Sequence, residues 1–399
     1  MTPGMEELEE AMSSCTGSPE QAAADEGLWA VVRRQFSVDP GVTHFNNAGH
    51  NPMPNCVADA VRREFDWANR NPVKAMQTIG PKIEVARRAL AELFGCDPEE
   101  VALTRNCSES MEICQFGIDL RPGDEVLTTN AEYFRMLMTF RQRERRDGAV
   151  LKQFPIPVIS EDPGALVALF EEHITPRTRM ILMSHVIMMT GQIMPVREVV
   201  RMARSRGIPV VVDGAQSFGH LAFTHADLDC DFFGTSLHKW LKAPCGSGML
   251  FVRRDRIRDV WPLMAAPEEN DGDIRKFERI GTAPSTMPVG VAAAAAFYKT
   301  IGAERKEARL RYLRDRWATR LLRHERVELS TSLKREFSCG IGLIRIKGVD
   351  HDALSVYLAA EHNIVTSGLR ISPNIYTSAD EIDRFCEIME SVIRDGLPA

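Results

Sequence analysis

The sequence lacks the features that mark membrane, exported and nucleic-acid-binding proteins. It has no apolar run approaching the roughly 18 residues of a membrane-spanning helix, and its start shows no basic stretch followed by an apolar one. It also lacks a basic excess, because 55 Asp and Glu residues outnumber 49 Lys and Arg residues. We therefore expect no membrane partner, no secretory leader and no nucleic-acid partner.

Paired cysteine and histidine motifs are missing as well. The nine cysteines include no Cys-x-x-Cys pair and are odd in number, and the ten histidines include no His-x-x-x-His pair. In a chain of 399 residues, this pattern indicates reduced thiols and a cytoplasmic location rather than a disulfide framework. It also predicts that the chain has no metal site.

The first part of the chain is poor in aromatic residues. Residues 1–26 are acidic and small, and we expect them to form a mobile tail, with ordered structure beginning near Leu28. The whole chain is 44% hydrophobic and 26% charged, which is ordinary for a globular protein. At about 150 residues per domain, its length predicts two or three domains.

Short apolar runs alternate with helical patterns through the middle of the chain. This alternation predicts an α/β fold with a mostly parallel sheet covered on both faces. We expect an N-terminal segment at 27–55 that packs with the small domain and the site entrance, a large domain at 56–284 and a small C-terminal α/β domain at 285–399. The predicted strands lie at 101–103, 125–127, 180–183, 209–212, 231–233, 249–252 and 341–346.

Residues with useful chemistry follow several of these strands, where open α/β sheets bind their ligands. Ser108 opens a helix whose free amides can seat a phosphate, and Tyr133 offers a flat aromatic ring. Asp213 follows three valines and needs a cationic partner, while desolvation would make Lys239 a nucleophile towards carbonyls. Taken singly, each of these residues also has an ordinary structural explanation: an N-cap, a packing ring, a capping aspartate and a surface lysine.

The ordered set is more specific than its members. An anion seat, a flat ring, an acid and a buried lysine at the ends of strands describe a site for pyridoxal phosphate (PLP). In such a site the lysine forms a Schiff base with the cofactor aldehyde. The acid keeps the ring nitrogen protonated, which makes the ring an electron sink. The sequence therefore predicts a PLP-dependent enzyme.

With these residues in view, the sequence resembles the class V aminotransferase family of fold-type I PLP enzymes. Within it, the sequence is most similar to the isopenicillin N epimerase-like branch, which is related to cysteine desulfurases and C–S lyases. The resemblance spans roughly residues 27–395 and implies a mostly parallel central sheet covered by helices, with a smaller C-terminal domain. Its most specific segments are 43–50 (THFNNAGH), 212–216 (VDGAQ), 236–240 (SLHKW), 280–282 (IGT) and 369–373 (LRISP).

The resemblance also implies roles for individual residues at the cofactor. Lys239 would be the Schiff-base lysine and proton shuttle, Asp213 would pair with the pyridine nitrogen, and Gln216 would donate to the ring phenolate oxygen. Tyr133 would stack on the ring, where desulfurases have a histidine. The phosphate would be held by Ser108, Ser236, His238 and the backbone amide of Cys107.

Substrate contacts and a dimer follow from the same resemblance. Arg370 would bind the substrate α-carboxylate as a bidentate fork. Asn47 and His50 lie on a loop that lines the substrate entrance in relatives. Thr282, after Gly281, would reach the phosphate of the neighbouring subunit, which implies a homodimer with shared sites.

Three features depart from the desulfurase pattern. Met188 stands where desulfurases carry an asparagine near the cofactor ring, which predicts a more apolar pocket. The stretch 363–370 is too short for the loop that carries a desulfurase's catalytic cysteine. The nearest cysteines, Cys339 and Cys386, lie in other elements, so persulfide-forming desulfuration is disfavoured. Cys107 replaces a small polar residue beside the phosphate seat.

Several reactions remain open to such a site. We expect cleavage of Cα–H with Lys239 as base, followed by expulsion of a β-thiolate from a cysteine S-conjugate or another modified amino acid. The alternatives are epimerisation, which needs a second acid on the opposite face, transamination and decarboxylating deamination. A PLP-fold protein that binds without catalysis is disfavoured, because Asp213, His238 and Arg370 accompany the lysine.

Overall fold

In the computed structural model, which describes residues 3–398, helices alternate with strands along most of the chain. Within these residues the α-helices are α1 (Pro3–Ser14), α2 (Pro19–Ala24), α3 (Glu26–Arg34), α4 (Asn55–Arg70), α5 (Pro72–Phe94), α6 (Cys107–Gly117), α7 (Phe134–Asp147), α8 (Pro163–His173), α9 (Val196–Arg204), α10 (His225–Leu228), α11 (Thr286–Ile301), α12 (Ala303–Leu321), α13 (His351–His362) and α14 (Ala379–Asp395).

The strands are short, as their apolar runs predict. They are β1 (Thr43–His44), β2 (Val101–Thr104), β3 (Glu125–Thr129), β4 (Val150–Phe154), β5 (Thr178–Ser184), β6 (Val210–Asp213), β7 (Phe232–Ser236), β8 (Gly248–Val252), β9 (Val327–Leu329), β10 (Gly342–Ile346), β11 (Ile364–Val365) and β12 (Arg370–Ile371).

A seven-stranded sheet forms the centre of the described chain, in the order β2-β8-β7-β6-β5-β3-β4. Strand β8 runs antiparallel to β2 and β7, and the other pairs are parallel. Alternate residues of β6 face opposite cores: Val212 packs with α5, α8, α9 and α11, and Val211 packs with α6 and α7. This arrangement confirms the predicted α/β fold with a mostly parallel sheet covered on both faces.

A smaller, antiparallel sheet of β12, β10 and β9 forms the C-terminal part. Its core includes Trp317 of α12, Leu358 of α13 and Phe385 of α14. Strand β1 pairs in parallel with β11, which joins the N-terminal segment to this part of the chain. The domain boundaries stay a prediction, and Ala399 lies outside the described residues.

The N-terminal segment differs from the expected mobile tail at 1–26. Helix α1 packs on α3 and α11, and α2 packs on α12. The reason is that Met5, Leu8 and Met12 recur at helical spacing and form a buried stripe, although the surrounding composition is acidic. The first two residues of the predicted tail lie outside the described residues. Within 3–398, no helix is both long and apolar enough to cross a bilayer.

Candidate active site

The carboxyl ends of the central strands meet at one cavity of about 440 Å³. All the residues predicted for the site line it except Asn47 and Thr282. The lining residues are Asn46, Ala48, Gly49, His50, Asn106, Cys107, Ser108, Tyr133, Met136, Met188, Asp213, Ala215, Gln216, Ser236, His238, Lys239, Ser367 and Arg370.

Size alone does not distinguish this cavity. A groove of about 680 Å³ lies among α1, α11 and α12, lined by residues such as Glu9 and Lys299. The smaller cavity differs in the burial of its polar groups: the Asp213 carboxylate and the Arg370 guanidinium converge on it and are buried, whereas Lys299 and Glu304 of the groove are exposed. Convergent polar groups of this kind characterise ligand sites.

The anion seat lies at the N-terminus of α6. The Asn106 side chain caps this helix by accepting from the amide of Glu109 at 2.9 Å. Ser236, at the end of β7, accepts from the Cys107 amide through its hydroxyl at 2.9 Å. Gly248 lets the helix start approach β8 closely, because a Cβ there would lie 2.7 Å from the Asn106 backbone. The positive end of the helix dipole therefore faces the cavity.

Asp213 supplies the acid of the site. It ends β6 and is buried, and its Oδ1 accepts from the Ala215 amide at 2.9 Å and from the Cys107 thiol at 3.3 Å. Within residues 3–398, no lysine or arginine forms an ion pair with it. A buried carboxylate without a cationic partner favours a cation brought by a ligand.

Lys239 supplies the amine of the site. It lies in the turn that follows β7, and within the described residues no hydrogen bond or ion pair holds its Nζ. Burial lowers the pKa of Lys239, and the nearby charge of Asp213 partly opposes that shift. A lysine with a lowered pKa is a better nucleophile towards a carbonyl, because more of its amine is neutral.

Three aromatic side chains of the described residues line the cavity: His50, Tyr133 and His238. Tyr133 precedes α7 and lines the cavity. The adjacent Glu132 fixes this turn, since its carboxyl accepts from the hydroxyls of Thr129 at 2.9 Å and Ser184 at 2.6 Å, and burial raises its pKa to about 7. The ring of His238 lies 5.8 Å from that of His50 between centroids.

Gln216 also lines the cavity, and its amide is fixed by two hydrogen bonds. Its Nε2 donates to Ala48 O at 3.0 Å, and its Oε1 accepts from the Trp240 indole at 2.9 Å. The amide nitrogen therefore has one hydrogen left to donate to a ligand.

Arg370, in β12, supplies the guanidinium of the site. Its Nη2 donates to Asn46 Oδ1 at 2.6 Å and its Nη1 to Met188 O at 3.4 Å. Its Nε is buried and has no hydrogen-bond partner within 3–398. The side chain is thus held in place with donor capacity left for a carboxylate.

Asn47 does not reach the cavity, contrary to our expectation of a substrate contact. It is fully buried, its Nδ2 donates to His44 O at 2.7 Å and Ser372 O at 2.9 Å, and its Oδ1 accepts from the Tyr376 hydroxyl. Its side chain therefore fixes the loop, and Asn46 takes the place at the cavity. The two asparagines are adjacent in sequence, so the sequence holds no signal that separates them.

Thr282 also lies outside the cavity of this single chain. It is exposed, and it follows Gly281, which adopts a φ of 80°. The expected contact with a second subunit stays a prediction.

Met188, Met136 and Asn46 line the cavity, and of these the sequence analysis identified Met188 alone.

The residues of the cavity fit PLP. The buried Nδ1 of His238 lacks a hydrogen-bond partner in the described part of the chain, and together with the α6 amides and Ser236 it matches a phosphate. Asp213 matches a protonated ring nitrogen, and Lys239 matches the cofactor aldehyde. The phosphate donors, the acid and the amine thus match the phosphate, the ring nitrogen and the aldehyde of one cofactor.

Comparison with known proteins agrees with this fit. A family model described as aminotransferase class-V matches residues 43–387. Isopenicillin N epimerase of Streptomyces clavuligerus is 28% identical over 91% of this chain and 98% of its own length. A cysteine desulfurase of Haloferax volcanii is 30% identical over 72% of this chain and 71% of its own length.

Solved structures share the fold. One shows the protein C-DES with glycine covalently linked to the PLP cofactor, with a TM-score of 0.81 and 23% identity over 90% of this chain and 98% of that one. Another is named as the cystine C–S lyase C-DES with its product cysteine persulfide, with a TM-score of 0.80 and 23% identity over 88% of this chain and 97% of that one.

Proposed function

The chain belongs to the class V aminotransferase family, and from this premise we propose that it cleaves the C–S bond of a cysteine S-conjugate or a related modified amino acid. It is a PLP-dependent enzyme related to cysteine desulfurases and isopenicillin N epimerase. The observation that supports a lyase is the set of groups at the cavity. It includes a free amine that can act as base, and the one cysteine that the described residues place on its wall, Cys107, is buried.

The cysteines argue against an enzyme that stores sulfur on its own thiol. Cys107 lines the cavity, but its thiol donates to Asp213 Oδ1 and to Gly234 O, both at 3.3 Å, and burial raises its pKa well above its usual value. Cys339 and Cys386 are buried elsewhere, and burial raises their pKa values to about 11 and about 12. None of these three presents a reactive thiolate.

The proposed reaction assigns one task to each residue. Bound in the cavity, PLP supplies an electron sink for negative charge at Cα. Lys239 takes the Cα proton, Arg370 holds the α-carboxylate, and Asp213 keeps a proton on the ring nitrogen. The C–S bond then breaks at Cβ and the sulfur leaves as a thiolate, which takes up a proton. Water converts the remainder to pyruvate and ammonia, so one base is sufficient.

Epimerisation is the second candidate. It is supported by the 28% identity to isopenicillin N epimerase, which covers 98% of that protein. Tyr133 lines the cavity and carries a hydroxyl that can deliver the second proton. Transamination and decarboxylating deamination are further alternatives, and the intact Lys239 and Asp213 disfavour a role in binding without catalysis.

Mass spectrometry in heavy water separates these reactions. The PLP-loaded protein is incubated with plain L-amino acids, a β-lactam precursor peptide and bulky cysteine S-conjugates. A lyase releases the free thiol, pyruvate and ammonia from a conjugate, and we expect this result. The Lys239→Ala variant serves as control and is expected to release no thiol.

Two other outcomes would contradict the proposal. A substrate returned intact with one deuterium at Cα and inverted configuration would identify an epimerase. A 2-oxo acid that keeps its sulfur substituent, with its nitrogen left on the cofactor, would identify an aminotransferase.

We also propose a homodimer in which Thr282 of one subunit reaches the phosphate seat of the other. The exposed position of Thr282 outside its own cavity supports this proposal. Light scattering is expected to give the mass of two chains. The Thr282→Ala variant is expected to bind PLP about 10-fold more weakly, because one hydrogen bond to a charged group is lost. A fully active monomer would refute the site that is shared between two subunits.

A cytoplasmic location completes the proposal. All nine cysteines are free in the structure, in line with a reducing compartment. Fractionation of the source cells tests this location, and recovery of the protein from an oxidising compartment would contradict it.

A further inference from the structure

The charged groups of the cavity are all assigned once the cofactor and one α-carboxylate are bound. Asp213 and Lys239 face the cofactor, and Arg370 is the one guanidinium on the wall that the described residues form. Asn46 and the Met188 carbonyl fix its position. A second carboxylate or an ammonium on the substrate side chain would therefore be buried without a partner, which is strongly unfavourable.

The two imidazoles do not supply a further cation for the substrate. Their rings lie next to each other, with centroids 5.8 Å apart. Burial, with a further contribution from Lys239, lowers the pKa of His238, which favours the neutral ring. We therefore assign both neighbouring rings to the phosphate end, which leaves Arg370 as the cation for the substrate.

Met188 occupies a rigid position beside the carboxylate group. The turn at 187–191 is closed by a hydrogen bond from the Gly191 amide to Ile187 O at 2.9 Å. Gly191 has a φ of 69°, and a Cβ there would lie 2.4 Å from Ile341 O, so no other residue fits without strain. The same turn presents the Met188 carbonyl to Arg370 and brings Met188 to the cavity wall.

Met136 contributes a second thioether from the first turn of α7. It is 1% exposed and lines the cavity, and its backbone is fixed at both ends. Its amide donates to Tyr133 O at 2.9 Å, and its carbonyl accepts from Gln115 Nε2 at 2.9 Å. The cavity therefore has soft, polarisable walls on two independent elements.

Resting on the proposed function, we propose that the substrate carries a single carboxylate, at Cα, and an uncharged apolar substituent on sulfur, which Met136 and Met188 select. Methionine adapts to irregular apolar groups and makes favourable contacts with sulfur and aromatic rings. Arg370 accounts for the one carboxylate. An S-aryl or S-benzyl conjugate meets both requirements, whereas a conjugate with an acidic substituent does not.

A pair of matched conjugates tests this selection. S-benzyl-L-cysteine and S-(4-carboxybenzyl)-L-cysteine differ by one carboxylate on the same ring. We expect kcat/KM for thiol release to be about 100-fold lower for the acid, because its charge is desolvated without a partner. Analogues that carry CH₂ in place of sulfur cannot undergo C–S cleavage. They therefore report binding alone, which is measured by the change in cofactor absorbance.

A single substitution is expected to reduce the preference. Met188→Lys places a cation on the substrate side. The kcat/KM for the carboxybenzyl conjugate should therefore rise at least about 10-fold relative to that for the benzyl conjugate. Met189→Lys is the matched control, because this neighbour is half-buried and does not line the cavity. It is expected to keep the original preference.

The outcomes separate this inference from the proposed function. If neither conjugate releases thiol but the neutral carbon analogue binds more tightly, the lyase is refuted and the selection stands. If thiol is released equally well from both conjugates, the lyase stands and the selection is overturned. The selection is also overturned if Met188→Lys and Met189→Lys change the preference to the same extent.

Discussion

Replacing Lys239 with alanine is expected to lower turnover by about 10⁴-fold and to remove the violet absorbance of protein loaded with PLP. Among residues 3–398, none forms a hydrogen bond or ion pair with Lys239 Nζ at this cavity, and burial lowers the pKa of this amine. Its loss removes both the covalent attachment of the cofactor and the base that takes the Cα proton. Absorbance and thiol release, measured on the same preparation, check both effects.

Lys299→Ala is the control for this substitution. Lys299 is half-exposed and pairs with Glu92 on the surface at 2.5 Å, away from the cavity, so its loss should change neither absorbance nor turnover. A Lys239→Ala protein that keeps its violet absorbance and its turnover would show that another residue carries the cofactor. Colourless wild-type protein that takes up no added PLP would contradict the site as a whole.

Much of the site was predictable because its residues follow buried strands. The valines of β6 and the phenylalanines of β7 mark parallel strands by composition alone, and Asp213 and Ser236 end them. In a parallel sheet such ends meet at one edge. The assignment of a PLP site then depended on the order in which Ser108, Tyr133, Asp213 and Lys239 follow one another along the chain. Six of the seven strands of the central sheet were predicted, and β4 was missed, because it lies at the sheet edge and its apolar residues are interrupted by Lys152 and Gln153.

The rest of the site depends on contacts between residues that are far apart in the sequence. Asn46 contacts Arg370 across 324 positions, and Asn47 is drawn inwards by Ser372 and Tyr376. Met136 looks like an ordinary core residue, because helical spacing does not tell a core from a cavity wall. Such contacts depend on how the segments around β1 and β12 pack against each other. The local sequence pattern of either segment does not encode this packing.

Asp213→Asn is the second substitution with a large expected effect. The amide keeps an oxygen that can accept from the Ala215 amide and the Cys107 thiol, so we expect the fold and PLP binding to persist. It carries no charge, however, and cannot hold a proton on the ring nitrogen. We expect kcat to fall by about 10²- to 10³-fold, as when one preorganised charge-stabilising group is removed from an active site, while violet absorbance remains in a shifted band.

Asp231→Asn separates this electrostatic effect from a general loss of stability. Asp231 is also buried, directly before β7, where it accepts from the Val210 amide at 3.2 Å and pairs with Arg253 at 2.7 Å. Because it precedes β7 and Val210 begins β6, it lies at the opposite end of these strands from the cavity. Breaking a buried ion pair should lower the melting temperature, yet kcat of the folded, PLP-loaded protein should stay near wild type. Equal losses of kcat in the two variants would mean that Asp213 acts through stability, and an Asp213→Asn enzyme with normal turnover would mean that the ring nitrogen needs no acid.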